Sequence, residues 1–185
     1  MTNDIRLQSP SQLEEWLKQQ GEPRFRAGQI WEWIWQKQAC SFDEMTNLPL
    51  ALREKLKAEY LFRPIEEDFV QTSRDGTVKS RFKLHDGHMI ESVLIPVPDE
   101  KRFTACVSSQ VGCSLACKFC ATGMMGRIRN LDFPEIFDQV VRVNRQALEH
   151  FGHPLTNIVY MGMGEPMLNY SNTLRSIDLI TSPKG

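Results

Sequence analysis

The first sixty residues repeat apolar positions at a spacing close to 3.6, which is the pattern of amphipathic helices. Ser11 and Glu14 have the spacing of a capping box, so a helix is predicted to begin at Ser11 and to end at Gly21. Residues 1–62 are therefore predicted to form a small helical domain. Its two further helices are predicted over residues 26–37 and 49–60.

Between residues 66 and 108 the apolar positions recur at every second residue, which is typical of half-buried strands. Asp75-Gly76 and Asp86-Gly87 are dipeptides that favour tight hairpin turns, and each lies between two such runs. Residues 63–100 are therefore predicted to form an antiparallel, β-rich connecting segment. Strands are predicted over residues 67–73, 77–85, 89–95 and 102–108.

Beyond the fourth strand the chain alternates helix and strand patterns. A helix is predicted from Pro134 to Glu149, then a strand over residues 157–161 and a helix over residues 170–181. This order is the rhythm of a parallel α/β sheet. The predicted fold class is α/β, with the first units of a larger α/β core over residues 101–185. The apolar stripe of the first helix is predicted to be Ile136, Val140, Val141 and Leu148.

The charge of the chain is nearly balanced: 22 Lys and Arg face 23 Asp and Glu in 185 residues, a formal charge of −1. Such a chain lacks the overall positive field of a general nucleic-acid coat protein. No apolar run reaches the roughly 20 residues of a membrane helix and no export signal is evident, so a soluble, cytoplasmic protein without a membrane partner is expected. One local set of cations is either a phosphate-binding patch or a solvated rim: Lys101, Arg102, Lys118, Arg127 and Arg129.

The cysteines are concentrated in one stretch. Four of the five lie between Cys106 and Cys120, which argues against disulfides that join distant segments. Cys113, Cys117 and Cys120 follow the spacing C-x3-C-x2-C, so their thiolates can converge from one loop on a single metal centre. A structural zinc site would need a fourth ligand, for which Cys106 is a candidate. An iron–sulfur cluster held by three thiolates would instead leave one iron open to a substrate or cofactor.

The cysteine spacing, with the aromatic Phe119 before the third cysteine, resembles the signature of radical S-adenosylmethionine (SAM) enzymes. The surrounding segments CVSSQVGCSLACKFCATG and NIVYMGMGEPMLN resemble the RlmN/Cfr family of adenosine methyltransferases, and the RlmN group best. FRAGQIWEWIW and SFDEMTNL resemble the helices of that family's N-terminal accessory domain. The resemblance implies a [4Fe-4S] cluster on Cys113, Cys117 and Cys120, with SAM bound at the open iron.

The turn MGMGEP follows the apolar strand predicted over residues 157–161. Its glycines let a ligand approach the backbone, and Glu165 offers a carboxylate to an amine. On these grounds alone it would be an ordinary turn between a strand and a helix. The resemblance implies that Gly164 and Glu165 contact SAM, together with Phe119.

Glu91 lies in the strand predicted over residues 89–95, where it shares a face with Met89, Val93 and Ile95. A carboxylate on an apolar face would be desolvated, which favours its protonated form and suits a group that exchanges protons. A harmless edge position is the alternative. The resemblance implies that Glu91 acts as acid or base on the target adenine, although the segment from Glu91 to Cys106 is slightly longer than in the family.

Cys106, taken by its position on a predicted strand, would be a buried structural cysteine. The resemblance implies a different role, in which Cys106 resolves a covalent enzyme–RNA adduct through a transient disulfide with a methyl-carrying cysteine near the family's C-terminus. Residues 1–185 contain no counterpart of that second cysteine. The family's core is a partial (β/α) barrel, so the chain is expected to be the N-terminal half of a longer enzyme, or a truncated product, and inactive alone.

The reaction implied by the resemblance is methylation at C2 of adenosine in large-subunit rRNA, and in some members of tRNA, with an external electron donor. Cfr-like members act at C8 instead. Two alternatives are open. One is a zinc- or cluster-binding, RNA-binding module without catalysis, in which Cys106 joins the other three thiolates. The other is a radical SAM enzyme with a different reaction.

Overall fold

The computed structural model describes residues 3–182, and they divide into two compact units. The first consists of residues up to 63 together with those from 178 onward, and the second consists of residues 64–177. Within residues 3–182, no helix is both long and apolar enough to cross a bilayer. The elements, in chain order, are β1 Asn3–Asp4, α1 Pro10–Gln19, α2 Arg26–Trp35, α3 Leu50–Glu59, β2 Tyr60–Leu61, β3 Glu66–Thr72, β4 Val78–Lys83, β5 Met89–Val97, β6 Arg102–Cys106, β7 Gln110–Val111, α4 Ala121–Met124, β8 Arg129–Asn130, α5 Phe133–Phe151, β9 Asn157–Val159 and α6 Tyr170–Thr181.

The first unit contains the three predicted helices, α1 to α3. The predicted capping box at Ser11 is wrong, because the N-cap of α1 is Ser9, two residues earlier. Ser9 accepts a hydrogen bond from the backbone N–H of Gln12, and the Gln12 side chain accepts one from the N–H of Ser9. Pro10 then occupies the first helical position, where its fixed φ and missing N–H are tolerated. The core of this unit is formed by fully buried residues that include Leu13, Leu17, Ile30, Leu52 and Leu56.

In the first unit, β1 and β2 form a short parallel pair that the local pattern did not predict. The side chains of Asp4 and Arg6 form a buried ion pair, with 2.8 Å between Asp4 Oδ2 and Arg6 Nη2. The same Nη2 donates to the carbonyl oxygen of Arg63 at 2.6 Å. Such buried charges are tolerated because each is paired and hydrogen-bonded.

The second unit is built on a five-stranded sheet of order β3-β4-β5-β6-β9. The pairs β3–β4, β4–β5 and β5–β6 are antiparallel, and the pair β6–β9 is parallel. The predicted α/β class and the two predicted hairpins are confirmed. The sheet continues across residues 100 and 101, so the β-rich segment shares one sheet with β6 and β9, while the three-part domain division stays a prediction.

One face of the sheet packs against α5. Val78, Ile90 and Leu94 on this face are fully buried, and α5 contributes Ile136 and Val143. Asp132 and Glu135 form the capping box at the start of α5, and Gly152 is its C-cap. The observed helix, Phe133–Phe151, agrees with the predicted bounds to within two residues. Leu148, which was predicted to belong to the apolar stripe, is 46% exposed. The neighbouring Ala147 is the residue that is buried at this end of the helix.

The opposite side of the sheet is termed here the far face, and it consists of Lys79 and Arg81 on β4, Glu91 and Val93 on β5, and Cys106 on β6. Strand alternation places these residues on the side away from α5, and they are half-buried or exposed. Lys79, Val93 and Cys106 form one row across three adjacent strands. The far face is thus a largely polar surface that contains both predicted catalytic residues, Glu91 and Cys106.

Candidate functional site

The three clustered cysteines lie on an excursion of the chain, the cysteine loop, residues 113–128. Its base is closed by the antiparallel pairing of β7 with β8. Gly112 has φ +72°, and a Cβ added to it would lie 1.7 Å from the carbonyl oxygen of Gly126. Cys113 N–H donates to that same oxygen at 3.2 Å, and Ile128 N–H donates to the Val111 carbonyl at 2.9 Å. Glycine at 112 therefore lets the two ends of the loop cross at backbone contact.

The thiols within the cysteine loop differ in their surroundings. Cys113 is 8% exposed, whereas Cys117 and Cys120 are half-buried. The backbone N–H of Leu115 donates to Cys113 Sγ at 3.5 Å. A hydrogen bond from the backbone N–H of Gly123 lowers the pKa of the Cys120 thiol. Hydrogen bonds from Thr122 act in the same direction, and burial opposes them. The loop thus directs backbone donors toward two of its three sulfurs, those of Cys113 and Cys120.

The predicted metal ligands are present on one loop but are not gathered around one point. In residues 3–182, no group of three or more Cys, His, Asp or Glu side chains is arranged to hold a metal ion. The expectation that Cys113, Cys117 and Cys120 converge is therefore not met by this structure. The donor set still fits an iron–sulfur cluster, because three thiols lie on a closed loop with N–H groups directed at sulfur. Cys106 lies outside this loop, on β6.

Phe119, near the tip of the cysteine loop, is 93% exposed. Its predicted contact with SAM stays a prediction.

The motif MGMGEP forms the glycine-rich turn, residues 161–166, which packs against the segment between β6 and β7. The N–H groups of Ser109 and Gln110 both donate to the carbonyl of Met163, at 2.8 and 3.1 Å. A Cβ on Gly162 would lie 2.8 Å from the backbone nitrogen of Ser108, and one on Gly164 would lie 2.5 Å from Gln110 Cβ. Gly162 and Gly164 are therefore required for close packing against residues 107–110, a role that the sequence did not suggest.

Glu165 begins the short 3-10 helix Pro166–Asn169. Its Oε1 accepts from the N–H of Met167 at 3.0 Å, and its own N–H donates to Gln110 Oε1 at 2.9 Å. Across the described residues 3–182, Glu165 forms no ion pair and its Oε2 has no hydrogen-bond donor. One oxygen of this half-buried carboxylate is thus available to a ligand amine.

Glu91 is not the desolvated carboxylate that was predicted. The side chain is 41% exposed, and its Oε2 lies 2.9 Å from Lys79 Nζ. The predicted alternation is correct, but α5 covers the face of Ile90 and Leu94 and leaves the face of Glu91 uncovered by that helix. Arg81 is directly opposite Glu91 in register, yet its guanidinium pairs with Asp68 at 2.5 Å. Lys79 is therefore the cation that compensates the charge of Glu91.

Cys106 shares the far face with Glu91. It is paired in register with Val93, which places Glu91 at the diagonal position, about 7–8 Å away in typical antiparallel geometry. Burial raises the pKa of the Cys106 thiol, while the N–H of Met161 acts in the opposite direction. The two predicted catalytic residues are thus neighbours on one sheet surface.

A buried network connects the far face to the glycine-rich turn. Ser108 Oγ donates to the carbonyl of Glu91 at 2.6 Å and accepts from the N–H of Met163 at 2.9 Å. Gln139, inside the apolar stripe of α5, bonds both Ser92 Oγ and the backbone of Ser108. Sequence reasoning missed these residues. The available signal was Gln139 itself, a polar residue in the predicted buried stripe, since a buried amide requires partners.

The predicted cation patch separates into different environments. Arg129 donates two hydrogen bonds to Glu135, at 2.7 and 2.8 Å, and one to Asp86 at 2.6 Å. These carboxylates, Glu135 first, hold the pKa of Arg129 above its usual range. Arg129 thus anchors the exit of the cysteine loop rather than offering a free charge. Lys118 and Arg127 are exposed and form no ion pair among residues 3–182.

The fold has a solved counterpart. A crystal structure described as a radical SAM methyltransferase from Sphaerobacter thermophilus matches with a TM-score of 0.83 and 44% sequence identity. The match covers 98% of this chain and 53% of that chain. The described α/β architecture is therefore that of part of a radical SAM methyltransferase.

The sequence matches are more specific. Residues 6–61 match the family described as the ribosomal RNA large subunit methyltransferase N-terminal domain. Two proteins named probable dual-specificity RNA methyltransferase RlmN, from Cytophaga hutchinsonii and Christiangramia forsetii, are 52% and 49% identical over 98% of this chain. The chain is a relative of the RlmN proteins, which confirms the resemblance predicted from the motifs. It spans about half the length of the curated relatives it matches, 49% and 51% in these two cases.

Proposed function

We propose that the protein is a radical SAM RNA methyltransferase, or the part of one that contains the cofactor-binding motifs, acting at C2 of adenosine in large-subunit rRNA and in tRNA. The observation that carries the proposal is one of placement. The cysteine loop, the glycine-rich turn and Cys106 all attach to one stretch, residues 106–113, and Ser108 joins that stretch to Glu91. The RlmN names of the relatives support RNA as the substrate class.

Cys113, Cys117 and Cys120 would hold the [4Fe-4S] cluster. A cluster bound there would supply the electron for reductive cleavage of SAM, and an external donor would replace that electron. The cysteine loop contributes the closed base and the N–H groups at Cys113 and Cys120, which stabilise negative charge on sulfur.

Gly164 and Glu165 are proposed to bind SAM, with Phe119 as a further contact. Glu165 Oε2 would accept a hydrogen bond from the amine of the methionine part, while Oε1 accepts from the N–H of Met167. The positive φ of Gly164, +94°, shapes the turn that presents this carboxylate.

Glu91 and Cys106 are proposed to act on the RNA. A carboxylate on the far face can exchange a proton with the target adenine, and Lys79 compensates its charge while the adenine is absent. Cys106, one strand away, would attack the sulfur of the family's methyl-carrying cysteine in the enzyme–RNA adduct. The disulfide would form as the bond between that sulfur and the RNA-bound carbon breaks, with the electron pair passing to the methylated adenine. Its raised thiol pKa keeps it protonated until a base is near.

Metal analysis separates this proposal from a zinc-binding, RNA-binding module. The chain is reconstituted anaerobically with iron and sulfide, and both are quantified in the wild type, Cys117→Ala and Cys106→Ala. We expect loss of iron and labile sulfide in Cys117→Ala and retention in Cys106→Ala. Stoichiometric zinc that requires all four thiols would support the module instead.

The reaction itself is tested by mass spectrometry of adenosine after incubation with an rRNA fragment, SAM and a reductant. Because the chain spans about half the length of its relatives, the assay compares residues 1–185 with a protein extended to the relatives' length. We expect 2-methyladenosine from the extended protein and none from residues 1–185. 8-Methyladenosine would contradict the proposed position, and product from residues 1–185 would show that half of the length suffices.

A further inference from the structure

Gln110 on β7 is fully buried, and its amide is hydrogen-bonded at both ends. Gln110 Nε2 donates to Asn130 Oδ1 at 2.7 Å. Gln110 Oε1 accepts from the backbone N–H of Glu165 at 2.9 Å. A buried amide with a donor and an acceptor both satisfied is held in one orientation, because turning it would leave both partners unpaired.

The two partners of Gln110 belong to different parts of the candidate site. Asn130 lies on β8, the strand that leaves the cysteine loop, and Glu165 lies on the glycine-rich turn. Asn130 also contacts the short 3-10 helix that follows this turn, where its Nδ2 donates to the carbonyl of Leu168 at 3.1 Å. Gln110 is therefore the side chain through which the Glu165 backbone is tied to the base of the loop.

Gly164 makes this contact sterically possible. A Cβ at Gly164 would lie 2.5 Å from Gln110 Cβ, 2.6 Å from its Cγ and 2.8 Å from its backbone nitrogen. These distances are shorter than real Cβ contacts allow. The Gln110 side chain thus occupies the space that a side chain at position 164 would need.

We propose that Gln110 is a positioning residue that fixes Glu165 relative to the cysteine loop. The inference rests on the proposed function, in which Glu165 takes the SAM amine and the loop carries the iron to which SAM binds. Gln110 touches neither ligand. Its amide sets the spacing between the two binding elements, so one SAM molecule can reach both.

The test compares Gln110 with a second buried amide. Asn169 is 3% exposed and donates to the carbonyls of Ser109 and Leu131, both at 2.8 Å, without contacting Glu165. Gln110→Met and Asn169→Leu each replace a buried amide by an apolar side chain of similar size. Gln110→Glu is the third variant, since it keeps an acceptor for Glu165 N–H while removing the donor to Asn130.

Two measurements are made on the full chain. The first is hydrogen exchange of the Glu165 amide by NMR without cofactors. We expect exchange to accelerate about tenfold or more in Gln110→Met, and to change little in Asn169→Leu and Gln110→Glu. The second is equilibrium binding of SAM at matched iron content. We expect the Kd to rise about tenfold in Gln110→Met and Gln110→Glu, and to stay near the wild-type value in Asn169→Leu.

The outcomes distinguish this inference from the proposed function. Unchanged Glu165 exchange in Gln110→Met, or equal acceleration in Asn169→Leu, would overturn the role of Gln110 whether or not SAM binds. Faster exchange together with a wild-type chain that binds no SAM would refute the SAM site and, with it, the positioning role. If Gln110→Met does not fold, Gln110→Glu decides, because wild-type SAM affinity in that variant would overturn the inference.

Discussion

Cys106 and Cys120 differ in the direction in which their surroundings shift the thiol pKa. Burial raises the pKa of Cys106, whereas backbone N–H groups, that of Gly123 first, lower the pKa of Cys120. A thiol alkylates through its thiolate, so a lowered pKa moves the onset of alkylation to lower pH and a raised pKa moves it to higher pH. In the metal-free, reduced chain we expect Cys120 to reach half-maximal alkylation rate below, and Cys106 above, the midpoint of a free cysteine peptide.

Iodoacetamide labelling across pH 6 to about 10, read by peptide mass spectrometry, measures both midpoints. The midpoint rather than the absolute rate is compared, because the partial burial of Cys106 slows access at every pH. Coincident midpoints would contradict the assigned environments.

Lys79 and Lys83 provide a matched pair for the role of charge at Glu91. Both lie on β4 with side chains on the same side of the strand, but Lys79 alone contacts Glu91. Half-exposed ion pairs contribute modestly, so we expect Lys79→Met to slow methyl transfer about two- to fivefold in the extended protein, with SAM cleavage unchanged. Lys83→Met should be close to wild type when the RNA is saturating, because any loss of a phosphate contact then does not limit the rate.

Product formation and 5'-deoxyadenosine formation are quantified in the same reactions, and Lys79→Arg is included as the conservative variant. Equal losses in Lys79→Met and Lys83→Met would indicate a general charge effect on RNA binding. A loss that Lys79→Arg does not reduce would argue against charge compensation.

At the scale of elements, the closure of the cysteine loop depends on Gly112. Gly112 and Gly126 both have positive φ, +72° and +68°, but an added Cβ meets the Gly126 carbonyl only at Gly112 and meets nothing within 4 Å at Gly126. Gly126→Ala should therefore cost about 1 kcal/mol for the left-handed backbone alone. Gly112→Ala adds a clash with backbone and should cost about 4 kcal/mol or more.

The free energy of unfolding, measured by urea titration of the metal-free chain, gives both values under the same conditions. Similar losses in the two variants would show that backbone conformation, and not the crossing of the loop ends, is what requires glycine at 112.

The elements that could be predicted from sequence are those whose stabilisation is local. The 3.6-residue period located α1 to α3, and the Asp-Gly dipeptides located the two hairpins. The short pairs β1–β2 and β7–β8 were missed, since each is two residues long and its partner is distant in sequence. The burial of Glu91 was predicted wrongly for a related reason: alternation defines two faces, but the position of α5 decides which one is covered.

The candidate site shows the same limit. Cysteine spacing predicted one loop that contains three thiols, and the glycine-rich motif predicted the turn after β9. No local pattern indicated that Gln110 would contact Glu165, because that contact follows from the parallel placement of β9 beside β6. The spacing of the three cysteines likewise does not determine where their sulfur atoms lie, and among residues 3–182 they form no group that could hold a metal ion.

For the whole molecule, the formal charge of −1 limits how RNA can be held. Within residues 3–182, Lys83, Lys118 and Arg127 are cations of the second unit without an ion pair. If these three meet phosphates, the logarithm of the binding constant for single-stranded RNA should fall with the logarithm of salt concentration with a slope of about −2.

Fluorescence anisotropy of a labelled rRNA fragment between about 50 and 300 mM KCl measures this slope. Replacing Lys118 and Arg127 together by Met should bring the slope to about −1. A much steeper slope would indicate that further cations without an ion pair in residues 3–182, such as Arg74, Arg142 and Arg145, also meet phosphates.

The base of the cysteine loop is closed by backbone hydrogen bonds and by the crossing of Gly112 and Gly126, with no sulfur taking part. The base of the loop is therefore closed by the polypeptide alone. Under the proposed function, the group that the three thiols would hold is not needed to join the two ends of the loop.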